Sequence, residues 1–186
     1  MQKVWILTIG LMLLLIAGAC SPIKIINSEP VDNFNLQKYR TFAFYQIETQ
    51  GDSLSSAYMQ KVDLLKKAIS TQLAKRGLTP ATTQADLLIN IGIVVEEKVQ
   101  TRQTDFRTEA PRYIGQRRYS WKSQEVEVGR YKQGTVTVHL VDSEQNKMVW
   151  RGVAQGVISN NINKLERTID KGAEKLFASI PFPAQQ

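Results

Sequence analysis

The sequence predicts an α+β fold in which a mainly antiparallel sheet carries two helices packed on one face, after an N-terminal export segment. Three observations carry that prediction. Tyr58, Val62, Leu65, Ile69 and Leu73, and later Ile162, Leu165, Ile169, Leu176 and Ile180, recur largely at the three- and four-residue spacings of an amphipathic helix. Tyr39–Tyr45, Leu87–Val95 and Gly134–Val157 carry strand patterns instead, the last interrupted by a polar loop. A hydrophobic content of 42% with 22% charged residues is ordinary for a globular chain, so the core needs no metal or disulfide staple.

The chain begins with one cation, Lys3, the apolar run Val4 to Ile16, and the small-residue junction Ala17-Gly18-Ala19 ending on Cys20. That is the three-part layout of a secretory signal, and the run is shorter than the roughly 20 apolar residues of a membrane span. Cys20 is the only cysteine, whereas an exported chain relying on disulfides would carry an even set. The junction resembles the lipobox of bacterial lipoproteins, with Ala17 where leucine is most usual. The resemblance implies cleavage before Cys20, a diacylglyceryl group on its thiol and acylation of the new amine. Ser21, in place of the aspartate associated with inner-membrane retention, implies the outer membrane, with the protein facing the periplasm. An uncleaved signal anchor and an ordinary signal peptide with a stray cysteine are the competing readings. Each buried acyl methylene contributes about 0.8 kcal/mol, so two or three chains make release negligible.

Removal of residues 1–19 as signal peptide leaves 167, the size of one domain. Residues 20–38 read as a lipidated tether leading into the fold, and 39–183 as a single α+β domain. The formal charge is +7, or +6 without Lys3, and it is uneven: residues 98–132 hold nine Lys or Arg against four Asp or Glu. A basic chain ordinarily invites nucleic acid, but export turns that expectation toward lipid phosphates and acidic proteins.

In chain order, Tyr39–Tyr45 is a strand with Phe42 and Phe44 on one face, and the polar loop Gln50–Ser56 supplies serine N-caps for the first helix. Gly77 offers the left-handed position that ends it. Leu87, Ile89, Ile91, Ile93 and Val95 share the buried face of the next strand. Residues 100–130 read as a long charged excursion with an exposed strand around Arg118–Val128. Gly134–Asp142 and Lys147–Val157 form a hairpin across Ser143-Glu144-Gln145-Asn146. Pairing Leu140 with Val149 and Val136 with Val153 keeps aliphatics together and turns Trp150 to the second face beside His139. A slip by one residue would bring Trp150 inward. Asn160-Asn161 starts the last helix, which Pro181 and Pro183 stop.

Gly134-Thr135-Val136-Thr137-Val138-His139-Leu140-Val141-Asp142 followed by Val149-Trp150-Arg151-Gly152 resembles the hairpin of bacterial lipoproteins that contain domain of unknown function 4136. Tyr39-Arg40-Thr41-Phe42-Ala43 and Ala85-Asp86-Leu87-Leu88-Ile89 fit the same family, and the likeness covers nearly all of residues 33–183 except the excursion. His139 stands where the family usually has an acid. The resemblance implies an envelope lipoprotein with an α+β domain and brings no catalytic residues.

Little in the chain points to catalysis. His139 is the sole histidine, so no Cys-His pair, zinc set or serine triad assembles around a second one, and no Gly-x-Ser-x-Gly elbow is present. Glu96 and Glu97 point to opposite faces of a strand. The expectation is a non-enzymatic, lipid-anchored envelope protein without a cofactor, binding a partner in outer-membrane assembly or maintenance. The alternative is a lipid or lipopolysaccharide binder that sets the basic excursion on head groups and an aromatic sheet face on acyl chains. Arg112, Arg117, Arg118, Trp121 and Trp150 are the candidate contacts for an envelope protein or anionic lipid. Trp121, Trp150, Tyr119 and Tyr131 either line that aromatic patch or pack across strands. Cys20 is the candidate lipidation site. Metabolic labelling with a clickable fatty acid is expected to mark the wild-type chain and not Cys20→Ala; an unlabelled, soluble wild type would refute the anchor.

Overall fold

Leu87, Ile89 and Ile91 on one strand and Val138 and Leu140 on its neighbour are at most 1% exposed, and the other elements are arranged to cover them. The computed structural model describes residues 23–31, 34–50, 56–105 and 122–181. These form β1 (Ile23–Pro30), β2 (Thr41–Gln50), α1 (Ser56–Ala74), β3 (Thr79–Pro80), β4 (Leu87–Gln103), β5 (Glu125–Asp142), β6 (Lys147–Val157) and α2 (Ile162–Leu176), with short 3-10 turns at Leu36–Lys38 and Phe177–Ser179. Among the described residues the sheet has six strands in the order β1-β6-β5-β4-β2-β3.

The sheet is mixed, which corrects the expected mainly antiparallel one. β2 runs parallel to β4 and to β3, while β4, β5, β6 and β1 pair antiparallel. The cause is the crossover. α1 carries the chain from the end of β2 back to the edge where β2 began, so the strand that follows and pairs with β2 must point the same way. The α+β description holds: α1 and α2 lie on the same face, bridged at their exposed side by Lys67 and Glu166 at 2.9 Å.

Two further segments differ from expectation. Residues 23–30, read as tether, form an edge strand on β6, and Ile25 packs against the core. Without β1, the outer edge of β6 would present unpaired backbone groups to solvent. The charged excursion is in its described part a two-stranded ribbon, because β4 continues to Gln103 and β5 starts at Glu125 in unbroken antiparallel register apart from one bulge. The alternating charges that obscured it pair along each strand, Glu96 with Lys98 at 2.7 Å and Glu127 with Arg130 at 2.6 Å, and across the two, Glu97 with Arg130 at 3.9 Å.

The hairpin begins as expected, Asp142 opposite Lys147, but a bulge at Val149 then moves the register by one residue. Leu140 faces Trp150, Val138 faces Gly152 and Val136 faces Ala154. Trp150 is therefore fully buried under the helices rather than exposed beside His139, and it stacks on Phe177 with ring centroids 4.9 Å apart. Its ring lies over Gly152, two residues along the same face. A methyl group there would strike the Trp150 ring edge and stand 2.8 Å from Leu176 Cδ1.

The C-terminal cap of α1 and the N-cap of α2 match the sequence, while the serine N-caps expected for α1 in residues 51–55 lie outside the described residues. Gly77 takes φ 88° after α1 and lets Leu78 N–H donate to Leu73 O at 3.1 Å. Asn161 Oδ1 accepts from Lys164 N–H at 3.0 Å to start α2. Arg76, only 4% exposed, closes the far end by donating to Phe177 O at 2.7 Å and Ile180 O at 3.0 Å. The core and the side chains packed on it come from residues 25–180, so a chain starting at residue 21 carries the whole domain. Gly152→Ala is expected to cost about 1–3 kcal/mol by overpacking and Trp150→Ala about 3–5 kcal/mol by leaving a cavity. Gly92→Ala, whose new methyl would be 3.8 Å from Thr137 Cβ, should be close to neutral. Chemical denaturation of the residue 21–186 fragment measures all three.

Candidate functional site

Polar side chains that look chemically active are engaged by the backbone. Asp142, 8% exposed, accepts from Glu144 N–H at 3.0 Å, Gln145 N–H at 2.8 Å and the Tyr39 hydroxyl at 2.9 Å. Asp86 accepts from Arg40 N–H and Thr41 N–H at 2.8 and 2.9 Å, while its own N–H donates to Thr41 Oγ1 at 3.0 Å. These bonds hold both carboxyls below the usual carboxylate range, led by Gln145 N–H for Asp142 and Arg40 N–H for Asp86. Burial, then Asp142, raises the Tyr39 hydroxyl to about 12. Together the two aspartates fix the start of β2, the start of β4 and the β5–β6 turn.

His139 sits on the helix-free face between Asn90 and Arg151. Burial, then the Arg151 charge, lowers its pKa. Among the described residues, no cluster of three or more His, Cys, Asp or Glu is placed to hold a metal ion, and no helix is long and apolar enough to cross a membrane.

The concave feature is on the other face. A groove of about 470 Å³ runs between α1, α2 and the sheet, lined by Val62, Leu65, Ile93, Val136, Ala154 and Ile169 among others. Its deep end touches Val138 and Leu176, which are fully buried, and its open end reaches Lys61, Glu97 and Lys132. On β4 the helix-facing row changes from buried Ile89 and Ile91 to half-buried Ile93 and Val95, so the helices leave part of the aliphatic surface uncovered. Small residues make the room: Gly134 pairs with Gly156, Val136 with Ala154, and Gly172 of α2 lies against Ile23. Their shared face is the signal that could have revealed the groove, and it appears only once the bulge at Val149 sets the register.

Ile23, Gly156, Gly134 and Val95 form one row across β1, β6, β5 and β4. The N-terminal approach to the sheet, the mouth of the groove and the base of the ribbon therefore share one end of the domain. The ribbon extends about 25 Å past that row at roughly 3.3 Å per residue. Val99 and Val128 on it are half exposed, at 51% and 49%.

Of the residues singled out in the sequence, Cys20, Arg112, Arg117, Arg118, Tyr119 and Trp121 lie outside the described residues. Trp150 is a core residue with no exposed surface, so it contributes to no contact patch; the bulge turned it inward. Tyr131 is exposed on the ribbon opposite Lys98. The aromatic sheet face is thus not assembled from Trp150.

These strand, turn and tryptophan positions are those on which the family likeness rests, and the match extends over the domain. The chain belongs to the family described as Domain of unknown function (DUF4136), matched over residues 26–182. No curated protein matches the sequence. Among solved structures, a PDZ domain protein from Parabacteroides distasonis aligns with TM-score 0.51 and 13% identity over 89% of this chain and 36% of its own. The chain thus spans about a third of that protein's length. The PelC dodecamer from Paraburkholderia phytofirmans aligns with TM-score 0.45 and 10% identity, covering 87% of this chain and 98% of its own. A neuraminyllactose-binding hemagglutinin homologue from Helicobacter pylori aligns with TM-score 0.40 and 11% identity, covering 81% and 82%. The first is a likeness of fold alone, and no function is transferred from any of the three.

The depressed Asp86 and Asp142 pKa values favour the folded state above the ordinary carboxylate range near 3.8, and that contribution is lost as pH falls through their folded values. The raised Tyr39 value contributes below its ordinary 10.0 and is lost as pH rises toward about 12. Tyr39→Phe is expected to cost about 1–3 kcal/mol at neutral pH by removing a bond to a charged acceptor. It should abolish the alkaline loss between those two values and reduce, without removing, the acid limb, because the Tyr39 bond also helps to lower the Asp142 pKa, as read from unfolding midpoints across pH.

Proposed function

We propose that this is a non-enzymatic protein of the bacterial cell envelope, anchored in the outer membrane through acylated Cys20, facing the periplasm, and binding a partner in outer-membrane assembly or maintenance. The observation that carries the reading is the common end of the domain from which the ribbon projects and at which the chain arrives from Cys20. Three residues span at most about 10 Å, so an anchor at Cys20 would hold Ile23 near the headgroups. A ribbon of about 25 Å leaving the same end would then lie along the membrane surface or against a protein seated on it. The positive surplus of residues 98–132, nine Lys or Arg against four Asp or Glu, suits an anionic counterpart. The non-enzymatic reading is supported by the engagement of Asp86 and Asp142 with backbone amides and by the placement of His139 beside a cation rather than a nucleophile. A second reading, a lipid or lipopolysaccharide binder, is supported by the apolar groove under the helices in place of the aromatic sheet face.

Basic residues near an anionic membrane contribute about 1 kcal/mol each and lose it beyond a Debye length. The residue 21–186 fragment is expected to bind anionic vesicles at low salt and to release steeply as salt rises. Replacing Arg112, Arg117 and Arg118 with Gln should weaken binding by about two orders of magnitude, at 1.4 kcal/mol per tenfold, without moving the unfolding midpoint. Wild-type binding by the triple variant to vesicles and to crosslinked envelope partners would reduce the charge run to a solvated surface.

A further inference from the structure

We propose that the groove between the helices and the sheet binds one long-chain fatty acid, with the acyl chain along β5 and the carboxylate at Lys61 and Lys132. The inference rests on the lipid-binding reading and narrows it to a ligand class and a site. Its first support is shape. From Val138 to Lys132 the groove follows β5 for about 20 Å, at roughly 3.3 Å per residue. A methylene occupies about the volume of one liquid water, roughly 30 Å³, so the cavity of about 470 Å³ accommodates about fifteen. That is room for one chain of ordinary length.

The second support is chemistry. The deep walls are aliphatic, with Val62, Leu65, Ile93, Val136 and Ile169 among the side chains that line them, so they offer a ligand apolar contact and little to orient a polar one. Polarity concentrates at the rim. Lys61 and Lys132 stand there, and among the described residues neither takes part in an ion pair. The rim carboxylate, Glu97, lies opposite Lys132 in the β4–β5 register and is 3.9 Å from Arg130, so the rim stays net positive. An apolar slot closed at one end and cationic at the other complements an amphiphile with a single anionic head.

The third support is position. The rim lies at the end of the sheet where Ile23, itself a wall of the groove, brings the chain in from Cys20. An acylated Cys20 would set the mouth beside the bilayer, where single-chain amphiphiles partition.

The test uses the delipidated residue 21–186 fragment and cis-parinaric acid, a fatty acid whose fluorescence rises in an apolar site. Saturable binding at one per chain is expected, with displacement by palmitate. Ala154→Phe, which fills the groove, should weaken binding at least tenfold while keeping or raising the unfolding midpoint. Lys61→Glu with Lys132→Glu, both at the rim, should weaken it by a similar factor with the fold intact, and decides the matter if Ala154→Phe does not fold. Absence of saturable binding, or binding indifferent to the rim variant, would overturn the proposal. Capture of diacyl phospholipid or lipopolysaccharide but not of fatty acid would overturn it too, while leaving the broader lipid-binding reading in place.

Discussion

The constraint on which the rest of the domain depends is the seat of Trp150. A ring of that size lies flat against the sheet only if the residue two positions along the same face has no side chain, and Gly152 meets that condition. With the ring in place, Phe177 stacks on it at 4.9 Å and Leu176 packs over Gly152, which sets how the end of α2 lies on the sheet. Arg76 then joins α1 to the same place by donating to Phe177 O and Ile180 O. Both helices are thus tied at one end of the domain to a single indole. The Val149 bulge serves that arrangement by turning the side chain inward.

The opposite end is built differently. There the small residues Gly134, Ala154 and Gly156 of the sheet and Gly172 of α2 leave space between the helices and the sheet. The result is a domain with one packed end and one open end. The packed end holds the aspartates, their backbone partners and the tryptophan, all of which serve structure. The open end holds the groove, the base of the ribbon and the approach from the N-terminus, and the functional proposals belong to it for that reason.

This division explains why residues that mark the family give no catalytic clue. Tyr39, Thr41, Asp86 and Asp142 are polar and have perturbed or engaged groups, the usual signs of a site, yet each bond they make closes a strand start or a turn. Their low carboxyl pKa values have tight backbone contacts as their leading cause.

Sequence alone determined the two helices with the caps at Gly77 and Asn161, the faces of β4 and β5, and the turn between β5 and β6, because each depends on local spacing, on a single capping residue, or on alternation within one strand. It determined the uneven charge and the isolation of Cys20, which are matters of composition. The direction of β2 relative to β4 was decided by which strands become neighbours across α1, a choice made by packing. The inward turn of Trp150 was decided by a bulge whose advantage exists only once Phe177 and Leu176 arrive from the far end of the chain. The ribbon was hidden because its strands are stabilised by pairing with each other and not by a buried face, so no hydrophobic period announces them. The groove was invisible for the same kind of reason: it is a space between four elements, and the small residues that open it align on one face only in the folded register.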